Sequence, residues 1–197
     1  MLKIDNEFFK NEYNYRIDYP AAFQAIEDKK LDKLEAYRAF ILSDLWFIVA
    51  FILEIPNSNR PFVIDRCNEI QDEEDRFAKG EKIDWTLDLW ARYHWKSSIL
   101  TKARTIQRVI KYPEKCTLLA SHTRPMAKKF LRSLMFTFEQ NVLLKKCFPN
   151  VFHKNPRNES LKWSEEDGIV VRRNNTSRTE TTIEAWGIKE GMPIGVH

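Results

Sequence analysis

Apolar residues after Pro20 recur at close to helical spacing: Phe23, Ile26, Leu31, Leu34, Tyr37, Phe40 and Ile41, with lysine and glutamate between them. The stretch from Leu45 to Leu53 is apolar without interruption and lies between Asp44 and Glu54. It is well short of the ~20 residues that cross a bilayer, so it predicts a buried helix segment in the core of a helical front subdomain. The run Pro56-Asn57-Ser58-Asn59-Arg60-Pro61 predicts a turn. A further helix is predicted from Phe62 to about Gln71, ended by the acidic stretch Asp72-Glu73-Glu74-Asp75.

The period changes after Gly80. Trp85-Thr86-Leu87-Asp88-Leu89-Trp90 alternates like a strand and leads into a helical pattern over Lys96–Tyr112, stopped by Pro113. The short apolar run Cys116–Ala120 comes next, then a long helix from about Pro125 to Lys146. Two more strands are expected at Gly168–Arg172 and Thr181–Trp186, around the polar, hairpin-like turn Arg173–Thr179. Strand–helix–strand–helix order from residue 85 onward predicts a parallel α/β sheet flanked by helices. The expected division is an all-helical subdomain over residues 1–80 and an α/β core over residues 81–197.

The totals add bounds. A chain of 197 residues, 43% hydrophobic and 30% charged, suits one domain or one and a fraction. Its 32 Lys and Arg against 28 Asp and Glu give +4, which permits a polyanionic partner without arguing for one. Cys67, Cys116 and Cys147 have no Cys/His neighbours at zinc spacing and read as reduced, cytosolic thiols. The start, Met1-Leu2-Lys3-Ile4-Asp5, lacks the pattern of a signal peptide, and no membrane partner is expected.

The informative chemistry lies where the predicted strand turns into the helix that opens with Lys96-Ser97-Ser98. A helix N-terminus presents unpaired N–H groups and the positive end of its dipole to an anion. Lys96 would reach the β- and γ-phosphates of ATP, and the Ser97 hydroxyl would take a place on Mg²⁺. Arg92 adds a cation that could follow charge developing on the γ-phosphate. Trp90 and Trp95 stand at the two glycine positions of G-x-x-x-x-G-K-[ST], so the plain pattern fails.

Leu87-Asp88-Leu89-Trp90-Ala91-Arg92, then His94, Lys96-Ser97, Ile99 and Thr101, resembles the deviant Walker A segment of phage terminase large subunits. The likeness continues through Ser121-His122-Thr123-Arg124-Pro125-Met126-Ala127-Lys128, Phe148-Pro149, Trp163-Ser164, Glu180–Gly187 and Gly191–His197, and reaches back to Arg60-Pro61-Phe62 and Asp65-Arg66-Cys67. The resemblance implies a partial P-loop NTPase-type sheet and an ATP-binding segment of a viral or prophage motor that drives double-stranded DNA into capsids. It gives Arg92 and Lys96 catalytic roles, and makes Arg92, Tyr93, His94, Trp95, Lys96, Ser97 and Ser98 the ATP-binding residues, with Ser97 on Mg²⁺. It also implies portal and small-terminase-subunit partners, a homo-oligomeric motor and a location in the bacterial host cytoplasm. In that family the Walker B strand and nuclease domain come after the position of His197, so this segment alone is expected not to hydrolyse ATP. The alternatives are a helicase-like P-loop ATPase acting on nucleic acid and a degenerate, non-enzymatic prophage remnant.

Other candidates read as structure. His94 and His122 have no ligand cluster around them. Ser121-His122-Thr123 is by the resemblance near the nucleotide or in a coupling loop, and equally suits a helix N-cap. Arg172, Arg173 and Arg178 make a basic turn expected to be solvated surface, and Glu165-Glu166-Asp167 is expected to be a loop.

Overall fold

The structure, a computed structural model, describes residues 9, 13–82, 86–91, 93–175 and 177–190. The chain is mixed α/β and divides into two compact units, Met1–Ala103 and Arg104–His197. The division falls inside the helical stretch ending at Lys111, past the boundary after residue 80 expected from the change of pattern.

The first unit is helical because short acidic side chains cap its segments. Asp18 accepts from the Ala21 N–H at 3.1 Å and opens α1 (Tyr19–Glu27), with Pro20 in the first turn. Lys29 turns left-handed at φ 58°, and Asp32 then accepts from the Glu35 N–H at 2.8 Å to open α2 (Lys33–Ser43). The apolar run Leu45–Leu53 is buried as expected except at the half-buried Phe51 and Leu53, and it is divided: α3 (Leu45–Phe47) continues as a π-helical turn over Ile48–Ile52. Tyr19, Trp46 and Phe47 are buried, and Phe47–Phe51, Tyr15–Trp46, Tyr19–Trp46 and Phe40–Phe47 ring centroids lie 4.6, 4.8, 5.2 and 5.3 Å apart. Phe9, Tyr13, Phe23, Tyr37 and Phe51 join these rings in one connected aromatic cluster.

Helix α4 (Pro61–Ala78) runs through the acidic stretch that was expected to end it. Aspartate and glutamate do not break a helix, and here their charge is taken up: Arg16 meets Asp72 at 2.5 Å and Asp75 at 2.9 Å. The stop comes at Gly80, left-handed at φ 80°, whose N–H donates to the Phe77 carbonyl at 3.0 Å.

Asp44 sits at the centre of this unit with 1% of its surface exposed. One carboxylate oxygen accepts from the Trp46 N–H at 2.8 Å and the other from the Tyr19 hydroxyl at 2.7 Å. Burial outweighs both bonds and raises its pKa above the ordinary carboxylate value of 3.8. A raised folded-state value means the folded chain holds this proton more tightly than the unfolded chain. The stability it contributes is therefore greatest below pH 3.8 and falls as pH rises through the raised value. In urea unfolding, the advantage of the wild-type chain over Asp44→Asn is expected to be larger at pH 4 than at pH 7. A gap that does not change with pH would mean that the carboxyl titrates normally.

The second unit holds α5 (Arg104–Lys111), β1 (Thr117–Ser121), α6 (Arg124–Gln140), α7 (Val142–Cys147), α8 (Pro156–Glu159), β2 (Trp163–Ser164), β3 (Gly168–Ile169) and β4 (Ile183–Gly187). The sheet order is β1-β4-β3-β2. β1 and β4 run parallel, Thr117 opposite Ile183 through Ser121 opposite Gly187, with α6 packed on both. β3 is antiparallel to β4, Ile169 opposite Ile183, and β2 is antiparallel to β3. The sheet is thus mixed and not parallel as expected. Parallel neighbours need a long crossover, which the chain from α6 through β3 supplies between β1 and β4, whereas the connection from β3 to β4 brings the chain back alongside itself. The expected helix to Lys146 is broken at Asn141, whose side chain caps α7 by accepting from the Leu144 N–H at 2.9 Å. Cys67 and Cys147 are buried and Cys116 is exposed, and none of the three is in a disulfide. Among the described residues no helix is long and apolar enough to cross a membrane.

Candidate functional site

Residues 86–91 form no strand. This corrects the expectation for Trp85–Trp90, of which Trp85 lies outside the described residues. Alternation places side chains on two sides but does not supply a neighbour for the backbone, and no ladder pairs with these residues. Leu87 and Leu89 are 84% and 83% exposed. Asp88 points the other way, where Arg66 of α4 meets it at 2.5 Å, and the Trp90 indole N–H donates to the same carboxylate at 3.3 Å. The segment is tethered by side chains instead of by a sheet.

The chain then turns sharply. Arg92 lies outside the described residues, Tyr93 has φ 68° and Trp95 has φ 57°. Trp95, at the second glycine position of the usual phosphate loop, thus adopts a left-handed conformation of the kind glycine adopts readily. For a residue with a Cβ this conformation costs about 1–2 kcal/mol. At Trp95 the cost is offset by contacts: its indole stacks on Phe62 at 6.1 Å and 28°, and the Arg60 guanidinium lies 5.7 Å from the ring centroid. An aromatic pair and an exposed cation–π contact contribute about 1 kcal/mol each. Tyr93 is 93% exposed, so little packing offsets its strain. Uncompensated strain of this kind collects at binding loops.

Lys96 opens the helix, and the Ile99 N–H donates to the Trp95 carbonyl at 3.0 Å. The N–H groups of Lys96, Ser97 and Ser98 therefore occupy the first turn, ahead of the intrahelical ladder. The helix continues as a π-helix over Ser97–Ala103, packed against the Ile48–Ile52 π-turn, and Ile99 and Ala103 anchor it in the core. Around this start lies an open hollow of about 680 Å³, lined by Trp90, Tyr93, His94, Trp95, Lys96 and Ser97 among others. Lys96 is exposed, and among the described residues it makes no ion pair. The described members of the predicted set are thus contiguous on one hollow. Arg60, Phe62, Arg66 and Asp88, whose contacts hold Trp95 and Trp90 beside it, were not predicted as site residues, although all four lie in segments that carry the resemblance.

The other candidates are structural. Arg172 reaches the Glu159 carboxylate at 2.8 Å and the Pro149 carbonyl at 3.2 Å, while Arg173 holds the Glu180 carbonyl at 2.8 Å and Arg178 binds the Glu114 carbonyl. Arg173 closes the connection between β3 and β4 on itself, while Arg172 and Arg178 tie it to residues outside it. Glu165 takes both nitrogens of Arg132 at 2.5 and 2.6 Å, and Glu166 pairs with Lys128. Ser121 ends β1, and Thr123 starts α6 without a side-chain cap bond. Among the described residues no group of three or more His, Cys, Asp or Glu could hold a metal ion. Comparison with protein-family models, curated proteins and solved structures gave no match to this chain.

Proposed function

We propose that the junction at residues 90–98 binds the phosphates of ATP, and that the chain is the ATP-binding segment of a terminase-type motor that packages double-stranded DNA. The observation that carries the phosphate reading is the left-handed Trp95, which turns the chain directly into a helix start bearing Lys96 and Ser97. Consecutive N–H groups at such a turn form a concave anion site, and the helix dipole adds to it. Lys96 supplies a full charge, and Ser97 would share Mg²⁺ with phosphate oxygens, which suits a cation that is usually held by one or two protein groups. Bound Mg²⁺ would neutralise charge on the phosphates. Arg92 is assigned the γ-phosphate. The motor assignment, with its portal and small-subunit partners, homo-oligomeric state and host-cytoplasmic location, rests on the order of segments that resemble terminase large subunits.

Titration calorimetry of the chain with MgATP tests the phosphate reading. Binding is expected, and Lys96→Ala is expected to weaken it by about 10- to 100-fold, the worth of one partly solvated lysine–phosphate pair. A wild-type chain that gives neither heat nor a change in tryptophan fluorescence overturns the reading. A second reading, a nucleotide-binding module without turnover, is favoured by the lack of a sheet strand at residues 86–91. It is distinguished by ATP binding without phosphate release in any longer form of the protein that carries an acidic strand of the Walker B kind.

A further inference from the structure

A second hollow of about 390 Å³ adjoins the phosphate hollow, and Trp90, Ala91 and His94 line both. Its other wall is α4, through Phe62, Asp65, Arg66 and Glu69. Resting on the phosphate reading above, we infer that this second hollow receives the base of the bound nucleotide, and that the base carries an exocyclic amino group, as adenine does.

Three features carry the assignment. First, the walls are aromatic: Phe62, Trp90 and His94 supply ring faces, and Phe62 and His94 centroids lie 5.6 Å apart. Stacking on such faces contributes about 1–3 kcal/mol per base. Second, the platform is held before any ligand arrives. Trp90 is fixed by its N–H bond to Asp88, and Asp88 by Arg66, so little side-chain freedom is lost on binding. Third, the polar groups on α4 select the edge. Asp65 makes no ion pair among the described residues, and Glu69 gives one oxygen to Arg66 at 2.5 Å. Arg66, the third polar group on this wall, is already held, Nη1 by Glu69 and Nη2 by Asp88 at 2.5 Å each, which leaves Asp65 to meet the base. A carboxylate accepts hydrogen bonds, so the base edge facing Asp65 donates. The amino groups of adenine and cytosine do so; the corresponding edge of uracil is a carbonyl, which the carboxylate repels. The shared wall of Trp90, Ala91 and His94 places the base hollow next to the hollow at Lys96, as a nucleotide requires.

The test compares MgATP, MgUTP and magnesium tripolyphosphate on the full chain and on Asp65→Ala. ATP is expected to bind about tenfold more tightly than UTP, the effect of one hydrogen bond to a charged group. Asp65→Ala should bring ATP to within about threefold of UTP and leave tripolyphosphate binding unchanged. Asp65 is exposed, so this variant should fold, and circular dichroism checks that it does. Equal binding of ATP and UTP by the wild type, or a preference that survives Asp65→Ala, overturns the base assignment; tripolyphosphate binding in either case leaves the phosphate reading standing. No binding of any of the three overturns both.

Discussion

Trp46→Ala is expected to lower the stability of the first unit by about 4–5 kcal/mol, a large share of the total for a domain of this size. The indole is fully buried and lies 4.8 Å from the Tyr15 ring, 5.2 Å from Tyr19 and 5.8 Å from Phe51, centroid to centroid. Alanine leaves a cavity that rigid neighbouring rings fill poorly, since each is itself braced by others. It also removes the N–H that donates to the Ser58 carbonyl at 2.8 Å, and so unties the 56–61 turn from the core. Trp46→Phe keeps most of the volume and loses the bond, and should cost less than half as much. Urea unfolding followed by near-ultraviolet circular dichroism gives both numbers. An alanine variant that unfolds at the wild-type midpoint would refute the aromatic cluster as the core.

The next largest effect is expected at Gly168, at about 2–4 kcal/mol for Gly168→Ala. Its φ is +83°, and a Cβ there would stand 2.5 Å from the Ile183 carbonyl oxygen. Ile183 faces Ile169 across the β3–β4 ladder, so the oxygen is backbone held in register and cannot move aside without opening the sheet. Gly80 separates the two causes, because its φ is +80° but a Cβ there meets nothing within 4 Å. Gly80→Ala should therefore cost only the backbone strain, about 1–2 kcal/mol. Equal losses at the two positions, measured by urea unfolding, would show that the clash contributes nothing.

What the sequence made legible were features whose cause is local. Pro113 stops the helix that ends at Lys111 through its own ring and missing N–H, whereas the caps Asp18, Asp32 and Asn141 were passed over, and Asn141 divides a helix expected to run on to Lys146. The apolar run at Leu45–Leu53 announced its burial for the same reason. Features that depend on a distant partner were misread. Residues 86–91 alternate like a strand, yet a strand exists only beside another, and Arg66 claims Asp88 instead. The acidic stretch in α4 looked like a stop because Arg16, which neutralises it, lies more than fifty residues away in sequence. The hairpin-like turn was visible, and its consequence, an antiparallel pair within a mixed sheet, follows from the same residues. At the candidate site, Lys96 and Ser97 could be found by eye. The left-handed Trp95 could not, since tryptophan carries no signal for that conformation and owes it to Phe62 and Arg60 packed against its ring.

The π-helical winding of Ser97–Ala103 ties the aim of Lys96 to a count of residues. A π-turn takes up more residues per revolution than an α-turn, and each residue rotates an α-helix by about 100°. A chain with an ordinary α-helix in this place would point its lysine elsewhere unless it were also shorter here by the surplus. A chain with an ordinary α-helix here would then correspond to this one, between the lysine and the buried Ile99 and Ala103, only across a gap inside the helix.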